Sequence, residues 1–401
     1  FMAAVGFFCL LFVCTASARA PEEVPRTSDE IHEYAQQILR EEILDYCSAV
    51  HLNNNTQHLS ADQLADAVMY YPEYPRRITD TTGATITITR PLSRIVAFNF
   101  FALGLLDAEN QTIGIAGAAL KEARIIPWLT TKVNVGGGGG LEPDMETILA
   151  CMPDMILTYT QVGPGRDFFE NRLPKTVPVV RQDYSRPHVM VTELNKLAYL
   201  IGRMDRSAAY EKWYNSRMAD IDRRLDTLPE EKKVRVFIDS WTGTGADPNV
   251  RMTVSSGMAS SHYNLYLTEN GAVNIAENLS NPQGSVDIEW LAQQNPDIIL
   301  GVARKGGYGT EDIRELKDQY DELMTHPALQ EVSAIKNKRV YIICWLHSNS
   351  LAYPAARTQI TKWFHPDLFA DMDPAEIHQE YMDQFLNASF NVRQYGVYTY
   401  P

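Results

Sequence analysis

The 401-residue sequence has few cysteines, no run of basic residues and no apolar stretch of the roughly 20 residues that a membrane-spanning helix needs. Its five cysteines lack the close spacing of a metal cluster. With 36 Lys and Arg against 50 Asp and Glu, the formal charge is −14, which opposes sequence-independent binding of nucleic acid. No two of the nine histidines lie four residues apart, so the pattern of a helical zinc site is also absent.

The composition that remains is typical of a large soluble protein. Hydrophobic residues make up 45% of the chain and charged residues 21%, with 23 Gly and 21 Pro, which excludes a disordered, collagen-like or coiled-coil chain. The length predicts two domains or one large α/β unit.

The sequence begins with an apolar segment, Met2–Val13, which is followed by small residues that end in Ala18-Arg19-Ala20. This A-x-A pattern indicates a secretory cleavage site. We therefore expect residues 1–20 to be a signal peptide and the protein to be periplasmic or on the cell surface. A membrane anchor is the alternative interpretation of the same segment.

Residues 21–77 are predicted to form an added N-terminal helical extension. A capping box at Thr27–Glu30 predicts a helix to about Val50, and a second short helix is expected from Ser60 to Tyr70. We assign this extension no function.

A core of two α/β lobes is predicted after the extension. Residues 78–89 alternate β-branched side chains around Gly83, as in a β-hairpin, and apolar strands then alternate with helical segments through residue 204. Residues 205–230 form one long amphipathic connecting helix, and the alternation resumes over residues 231–401, which include a C-terminal tail. The fold class is therefore α/β, with two similar lobes built on parallel sheets and a ligand cleft between them.

An internal duplication supports two lobes of one plan. The segments Glu146–Leu157 and Glu289–Leu300 share the pattern E-x6-P-D-[MI]-I-L, which predicts a short helix, a Pro-Asp turn and a buried strand in each lobe.

Together with the hairpin that ends in Arg90-Pro-Leu-Ser-Arg-Ile-Val96, the long helix and the segment Gly271–Ala276, this duplication resembles the class III substrate-binding proteins of ABC importers. The resemblance covers residues 78–365. It implies capture of an iron chelate (a ferric siderophore or haem) or a corrinoid such as cobalamin and its delivery to a permease, with no catalysis and no resident cofactor.

In this family, a glutamate in the duplicated helix of each lobe faces the permease. The resemblance therefore implies permease docking by Glu146 and Glu289. Two carboxylates at matched positions suit an electrostatic contact that sets orientation, although an acid in the first turn of a helix also stabilises the helix dipole.

Ligands of open α/β sheets bind at the carboxyl ends of the strands. Aromatic side chains there suit a flat or apolar chelate, and arginines suit its carboxylates or catecholates. Trp241 is the strongest candidate, because it directly follows a strand and precedes Thr-Gly-Thr-Gly. The full set of candidate ligand-binding residues is Phe100, Gly138, Tyr159, Tyr184, Trp241, Arg251, Tyr263, Arg304, Tyr308 and Trp345.

Three alternatives stay open. His262 and His347 are candidate iron ligands for a bound haem, although a single histidine is more often a neutral, hydrogen-bonded side chain. A receptor for free zinc or manganese would use several histidines and a carboxylate, and a two-lobed metalloenzyme-like protein would need a catalytic group that the sequence does not display. We expect a monomer that closes only slightly on ligand binding, because one long helix joins the lobes.

Overall fold

A computed structural model describes residues 74–138, 141–160, 167–184, 186–240, 247–254, 262–279 and 284–401. The predicted signal peptide and the two predicted N-terminal helices lie outside these residues. The described chain begins with an antiparallel hairpin of β1 (Arg76–Thr79) and β2 (Thr85–Ile88). Within the described ranges, no helix is long and apolar enough to cross a membrane.

The N-terminal lobe is built on a five-stranded parallel sheet of order β5-β4-β3-β8-β9. Strands β3, β8 and β9 are buried along their whole length, as expected for parallel strands that are covered on both faces, whereas the edge strand β5 is exposed. The strands and helices of this lobe are β3 (Ile95–Ala97), α1 (Phe101–Leu105), β4 (Thr112–Ile115), β5 (Val133–Asn134), β6 (Gly136–Gly138), β7 (Leu141–Pro143), α2 (Met145–Ala150), β8 (Met155–Thr158), α3 (Asp167–Glu170), β9 (Val179–Arg181) and α4 (Pro187–Ile201).

The predicted connecting helix is α5, Met204–Leu225. Its 22 residues span about 33 Å. The Arg206 guanidinium donates to the carbonyl oxygens of Leu105 in the N-terminal lobe (3.2 Å) and Phe385 in the C-terminal tail (2.9 Å). The Tyr210 hydroxyl donates to the Leu351 carbonyl at 2.8 Å. The helix is therefore fixed to both lobes as well as joining them.

The C-terminal lobe contains a seven-stranded sheet whose parallel centre, β12, β10, β14 and β15, repeats the plan of the first lobe. Antiparallel strands at its edges were not predicted: β11 pairs antiparallel with β10 and with β13, and β16 (Thr399–Tyr400) of the tail pairs antiparallel with β15. The elements are β10 (Val234–Ser240), β11 (Val250–Met252), α6 (His262–Thr268), β12 (Ala272–Asn274), β13 (Ser285–Asp287), α7 (Ile288–Gln294), β14 (Ile298–Ala303), α8 (Arg314–Thr325), α9 (Ser333–Lys336), β15 (Val340–Cys344), α10 (Trp345–Ser348) and α11 (Tyr353–Phe364).

Residues 366–401 form an ordered tail that packs across the molecule. Helix α12 (Pro374–Tyr381) continues as a π-helical turn over Met382–Leu386, and β16 (Thr399–Tyr400) adds to the edge of β15. Glu380 of the tail accepts from the Trp213 indole at 3.0 Å and pairs with Arg217 at 2.5 Å, both on the connecting helix.

The duplicated Pro-Asp motif makes equivalent hydrogen bonds in the two lobes. Asp154 accepts from the backbone N–H groups of Ser93 (2.7 Å) and Arg94 (3.0 Å), and Asp297 accepts from that of Arg235 (2.8 Å). In both lobes, this aspartate ties the start of one parallel strand to the start of its neighbour. The recurrence of Pro-Asp thus has a structural cause that is separate from any docking role.

Candidate functional site

The two lobes meet at the carboxyl edges of their sheets, in a contact that we call the interlobe seam: residues 117–126 of the N-terminal lobe against residues 304–314 and the tail. Arg124 pairs with Glu311 at 3.1 Å, and its guanidinium lies over the rings of Phe390 (5.3 Å) and Tyr395 (4.9 Å). A Cβ atom at Gly309 would lie 2.7 Å from the carbonyl oxygen of Lys121, so the backbones of the two lobes approach closely here.

Glu122 places a carboxyl group inside this seam. It ends the 3₁₀ helix Gly117–Glu122, which follows β4, and its Oε2 atom is buried without a hydrogen-bond partner in the described structure. Burial raises the pKa of Glu122 from 4.5 to about 7, against the smaller opposing effect of Lys121. The residue is therefore a poorly solvated acid at the place where an open α/β sheet binds its ligand.

Four aromatic rings of the C-terminal lobe lie together at the same seam: Tyr308, His347, His378 and Tyr398, which we call the seam cluster. The Tyr308 hydroxyl hydrogen-bonds to Nε2 of His378 at 2.8 Å. The centroid of the His347 ring lies 4.7 Å from that of His378 and 5.2 Å from that of Tyr398. Glu122 adds to the effect of burial in raising the pKa values of Tyr308 and Tyr398, which shows that the acid and the cluster lie within electrostatic range.

The seam cluster contains further unpartnered polar atoms. Nδ1 of His347 and the hydroxyl of Tyr398 are buried and lack hydrogen-bond partners among the described residues. Burial lowers the pKa of His347 to about 4 and that of His378 well below its usual value, so both imidazoles are neutral at pH 7. Buried polar atoms without partners are uncommon in folded proteins and mark sites that a water or a ligand completes.

The candidate residues of the N-terminal lobe lie at the predicted edge of the sheet. Phe100 and Tyr184 are buried, and the Tyr184 hydroxyl donates to Gln182 Oε1 at 2.5 Å. Tyr159, directly after β8, is half-buried; desolvation, followed by Glu122 and Asp183, raises its pKa. Gly138 ends β6, which pairs with β7 in a short hairpin. Of these four, the structure brings Tyr159 within electrostatic range of Glu122.

The candidates of the C-terminal lobe are placed less uniformly. Arg251 is 2% exposed, and its guanidinium is engaged by Asp239 (2.5 and 2.8 Å) and by Glu322. Tyr263 is also buried and accepts from Asn349 at 3.0 Å. Arg304 is exposed just after β14, and Trp345 is 42% exposed just after β15.

Two more candidates complete the set. Trp241 lies outside the described residues, and His262 begins α6. The assignment of all these residues to a ligand stays a prediction.

The two predicted docking glutamates occupy equivalent places. Glu146 lies in the first turn of α2, where Asp144 caps the helix by accepting from the backbone N–H groups of Glu146 and Thr147. Glu289 lies in the first turn of α7, and both glutamates are exposed. Because α2 and α7 each precede a parallel strand of their sheet, β8 and β14, both glutamates begin a helix that runs back from the carboxyl edge of its sheet.

A metal-binding cluster is not formed by the described residues, in which no three His, Cys, Asp or Glu side chains are placed to hold an ion. His347 is instead a neutral, buried side chain. The described cysteines, Cys151 and Cys344, are buried thiols, as expected; Cys47 lies outside the described ranges.

A cavity of about 380 Å³ lies beside the connecting helix, lined by residues of α4, α5 and α11 together with Glu269. Arg357 in its wall pairs with Asp222 at 2.6 Å and donates to the Glu269 carbonyl at 2.7 Å. None of the candidate ligand residues lines this cavity.

Sequence reasoning missed four residues of the seam: Glu122, Arg124, His378 and Tyr398. The last two belong to the tail, for which the sequence suggested no role. Glu122 lies seven residues after a β4 strand that the sequence did not single out, so its position at the carboxyl edge was not visible.

The comparisons with known proteins agree with this architecture. The sequence profile described as "periplasmic binding protein" matches residues 108–344, and among curated proteins none matches the chain. The TroA-like periplasmic binding protein FepB from Veillonella parvula superposes with a TM-score of 0.64 at 20% identity, covering 81% of this chain and 99% of its own.

Two further solved structures show the same fold. The molybdate-bound periplasmic protein MolA of a Haemophilus influenzae ABC transporter gives a TM-score of 0.58 at 18% identity, covering 79% of this chain and 99% of its own. CeuE from Helicobacter pylori, in complex with Ni-His, gives 0.59 at 16% identity, covering 80% and 97%. The predicted two-lobed α/β fold is confirmed, and the chain belongs to the periplasmic binding protein family, whose members are solute-binding proteins rather than enzymes.

Proposed function

We propose that this protein is the extracytoplasmic substrate-binding component of an ABC importer. It captures a metal chelate (a ferric siderophore, haem or a corrinoid) at the interlobe seam and delivers it to the permease. The observation that carries the proposal is the family match combined with two lobes whose strand ends meet in one seam. The solved neighbours hold different ligands, molybdate in MolA and Ni-His in CeuE, so the class of ligand is part of the proposal.

The chemistry of the seam supports the proposal that the ligand is a metal chelate. Tyr159, Tyr398 and Trp345 provide partly accessible aromatic surface, and Arg304 provides a cation at the carboxyl edge of β14. Large apolar walls with a few polar groups are typical of sites for small organic ligands. A receptor for a bare metal ion is the weaker proposal, because the described residues offer no set of three suitable donors.

A calorimetric titration of residues 21–401 against ferric hydroxamates, ferric catecholates, haem, cobalamin and free zinc or manganese tests this function. We expect saturable binding of one chelate at micromolar or tighter affinity. The iron-free form of the same siderophore is the matched control and is expected to bind more weakly. Binding of a free metal ion, with no binding of any chelate, would contradict chelate capture and identify the protein as a metal-ion receptor.

The docking role of Glu146 and Glu289 is tested separately, in proteoliposomes that contain the cognate permease. Each Glu→Ala change is expected to lower transport while chelate affinity stays unchanged, and the double variant is expected to lower it further. Glu142→Ala removes a neighbouring exposed carboxylate of the same lobe and serves as the control. Normal transport by the double variant would leave these two glutamates with only a role at the helix dipole.

A further inference from the structure

Glu122 lies next to Lys121, whose backbone approaches Gly309 of the opposite lobe, and two residues before Arg124, which pairs with Glu311 of that lobe. Besides Tyr159 on its own side, the groups within its electrostatic range are Tyr308, Tyr398 and Cys344 of the C-terminal lobe. All of these are uncharged at neutral pH, because burial raises their pKa values. Among the residues that the structure describes, no buried cation is placed to balance the charge of this acid at the contact between the lobes.

The nearby cations, Lys121 and Arg124, do not neutralise the Glu122 carboxylate. Lys121 is exposed and only partly offsets the effect of burial on Glu122. Arg124 is engaged by Glu311 and by two aromatic rings. An ionised carboxylate that is removed from water without a donor costs several times the free energy of an ordinary hydrogen bond. The Oε2 atom of Glu122 thus requires a donor that the described protein does not supply.

A second unpartnered group lies across the seam. His347 is 5% exposed, and its Nδ1 atom lacks a partner, as does the hydroxyl of the adjacent Tyr398. These two atoms and Glu122 Oε2 come from both lobes and from the tail. A molecule bound between the lobes, with hydrogen-bond donors of its own, would supply the partner that Glu122 Oε2 lacks.

We propose that the chelate recognised at the seam carries a protonated amine, and that the Glu122 carboxylate binds this amine through a charge-assisted hydrogen bond. This inference rests on the proposed capture of a metal chelate and narrows its chemistry to cationic, donor-bearing complexes. Polyanionic catecholate complexes would place negative charge beside a buried acid and are disfavoured.

The test compares two ferric trihydroxamates that differ only in the substituent on one nitrogen: a linear chelate with a free terminal amine and the same chelate with that amine acetylated. We expect the amine form to bind at least tenfold more tightly to the wild-type protein at pH 8, where Glu122 is ionised. In Glu122→Gln, the two chelates should bind within about twofold of each other. Glu142→Gln carries the same change at an exposed site of the same lobe and should keep the full preference.

The outcomes separate the two levels of the proposal. Equal binding of both chelates to the wild-type protein overturns the role of Glu122 and leaves chelate capture standing. A preference that survives in Glu122→Gln, with an unchanged circular dichroism spectrum, also overturns it. Binding of neither hydroxamate, together with tight binding of a ferric catecholate, overturns the cationic selectivity, and binding of no chelate at all removes the proposed function on which the inference rests.

Discussion

Replacement of Glu122 by glutamine should change how the stability of the protein depends on pH. The folded protein holds this carboxyl with a pKa of about 7, raised from 4.5 by burial. Between these two values, the folded chain keeps a proton that the unfolded chain releases. Stability contributed by the protonated acid is therefore complete below pH 4.5 and is lost as the pH rises to 7.

The size of this loss follows from the shift. A rise from 4.5 to about 7 corresponds to about 3 kcal/mol of unfolding free energy between pH 4.5 and pH 7.5. His347 acts in the opposite direction, because its pKa is lowered from 6.5 to about 4 and the unfolded chain takes up the proton first as the pH falls. Because His347 is present in both proteins, its contribution cancels when the unfolding free energies of wild type and Glu122→Gln are subtracted.

Urea unfolding of both proteins at pH 5 and at pH 8 measures the difference. We expect the wild-type protein to lose about 2.5 kcal/mol relative to Glu122→Gln over this range, because part of the effect already falls below pH 5. Glu142→Gln, at an exposed position, should follow the wild-type curve. Parallel curves for wild type and Glu122→Gln would show that the carboxyl is well solvated and that its place in the seam is wrong.

Three further changes test other parts of the structure. Asp154→Ala removes the acceptor for the backbone N–H groups of Ser93 and Arg94, and chemical denaturation should show a loss of about 2 kcal/mol; a loss under 0.5 kcal/mol would contradict the structural role of the Pro-Asp motif. Gly137→Ala, at φ +73° and with a new Cβ 2.7 Å from Phe98, should lower stability by about 1–3 kcal/mol, and a thermal melt equal to that of wild type would contradict this geometry. Arg124→Ala should speed amide hydrogen exchange in the tail around Phe390. Unchanged exchange would mean that the contact between Arg124 and the Phe390 ring contributes little to the stability of the tail.

Local patterns were sufficient to predict the framework of the lobes. The connecting helix was expected over 205–230 and is observed as Met204–Leu225, because its three- and four-residue spacing of apolar residues is a property of the helix itself. The strands after the two Pro-Asp turns were also predicted correctly, since a buried parallel strand is a short apolar run. The expected fold class is confirmed for the same reason.

The seam could not be predicted in this way. Glu122, Tyr308, His378 and Tyr398 are separated by up to 276 residues, and no periodicity relates them. The sequence also gave no means to tell an aromatic residue that faces a ligand from one that packs in the core. Tyr263 and Tyr308 were both candidates for contact with the ligand. In the structure, both are buried and their hydroxyl groups are already hydrogen-bonded.

The tail has a consequence for the order in which the molecule assembles. Its residues 385 and 390 contact a helix and a loop that are synthesised more than 150 residues earlier, through Arg206 and Arg124. Because contacts of such long sequence separation form late and close large loops of chain, neither lobe reaches its final packing until the last segment is in place. Loss of these contacts of the tail should accordingly loosen both lobes, so that unfolding by heat or denaturant couples the tail and the two lobes.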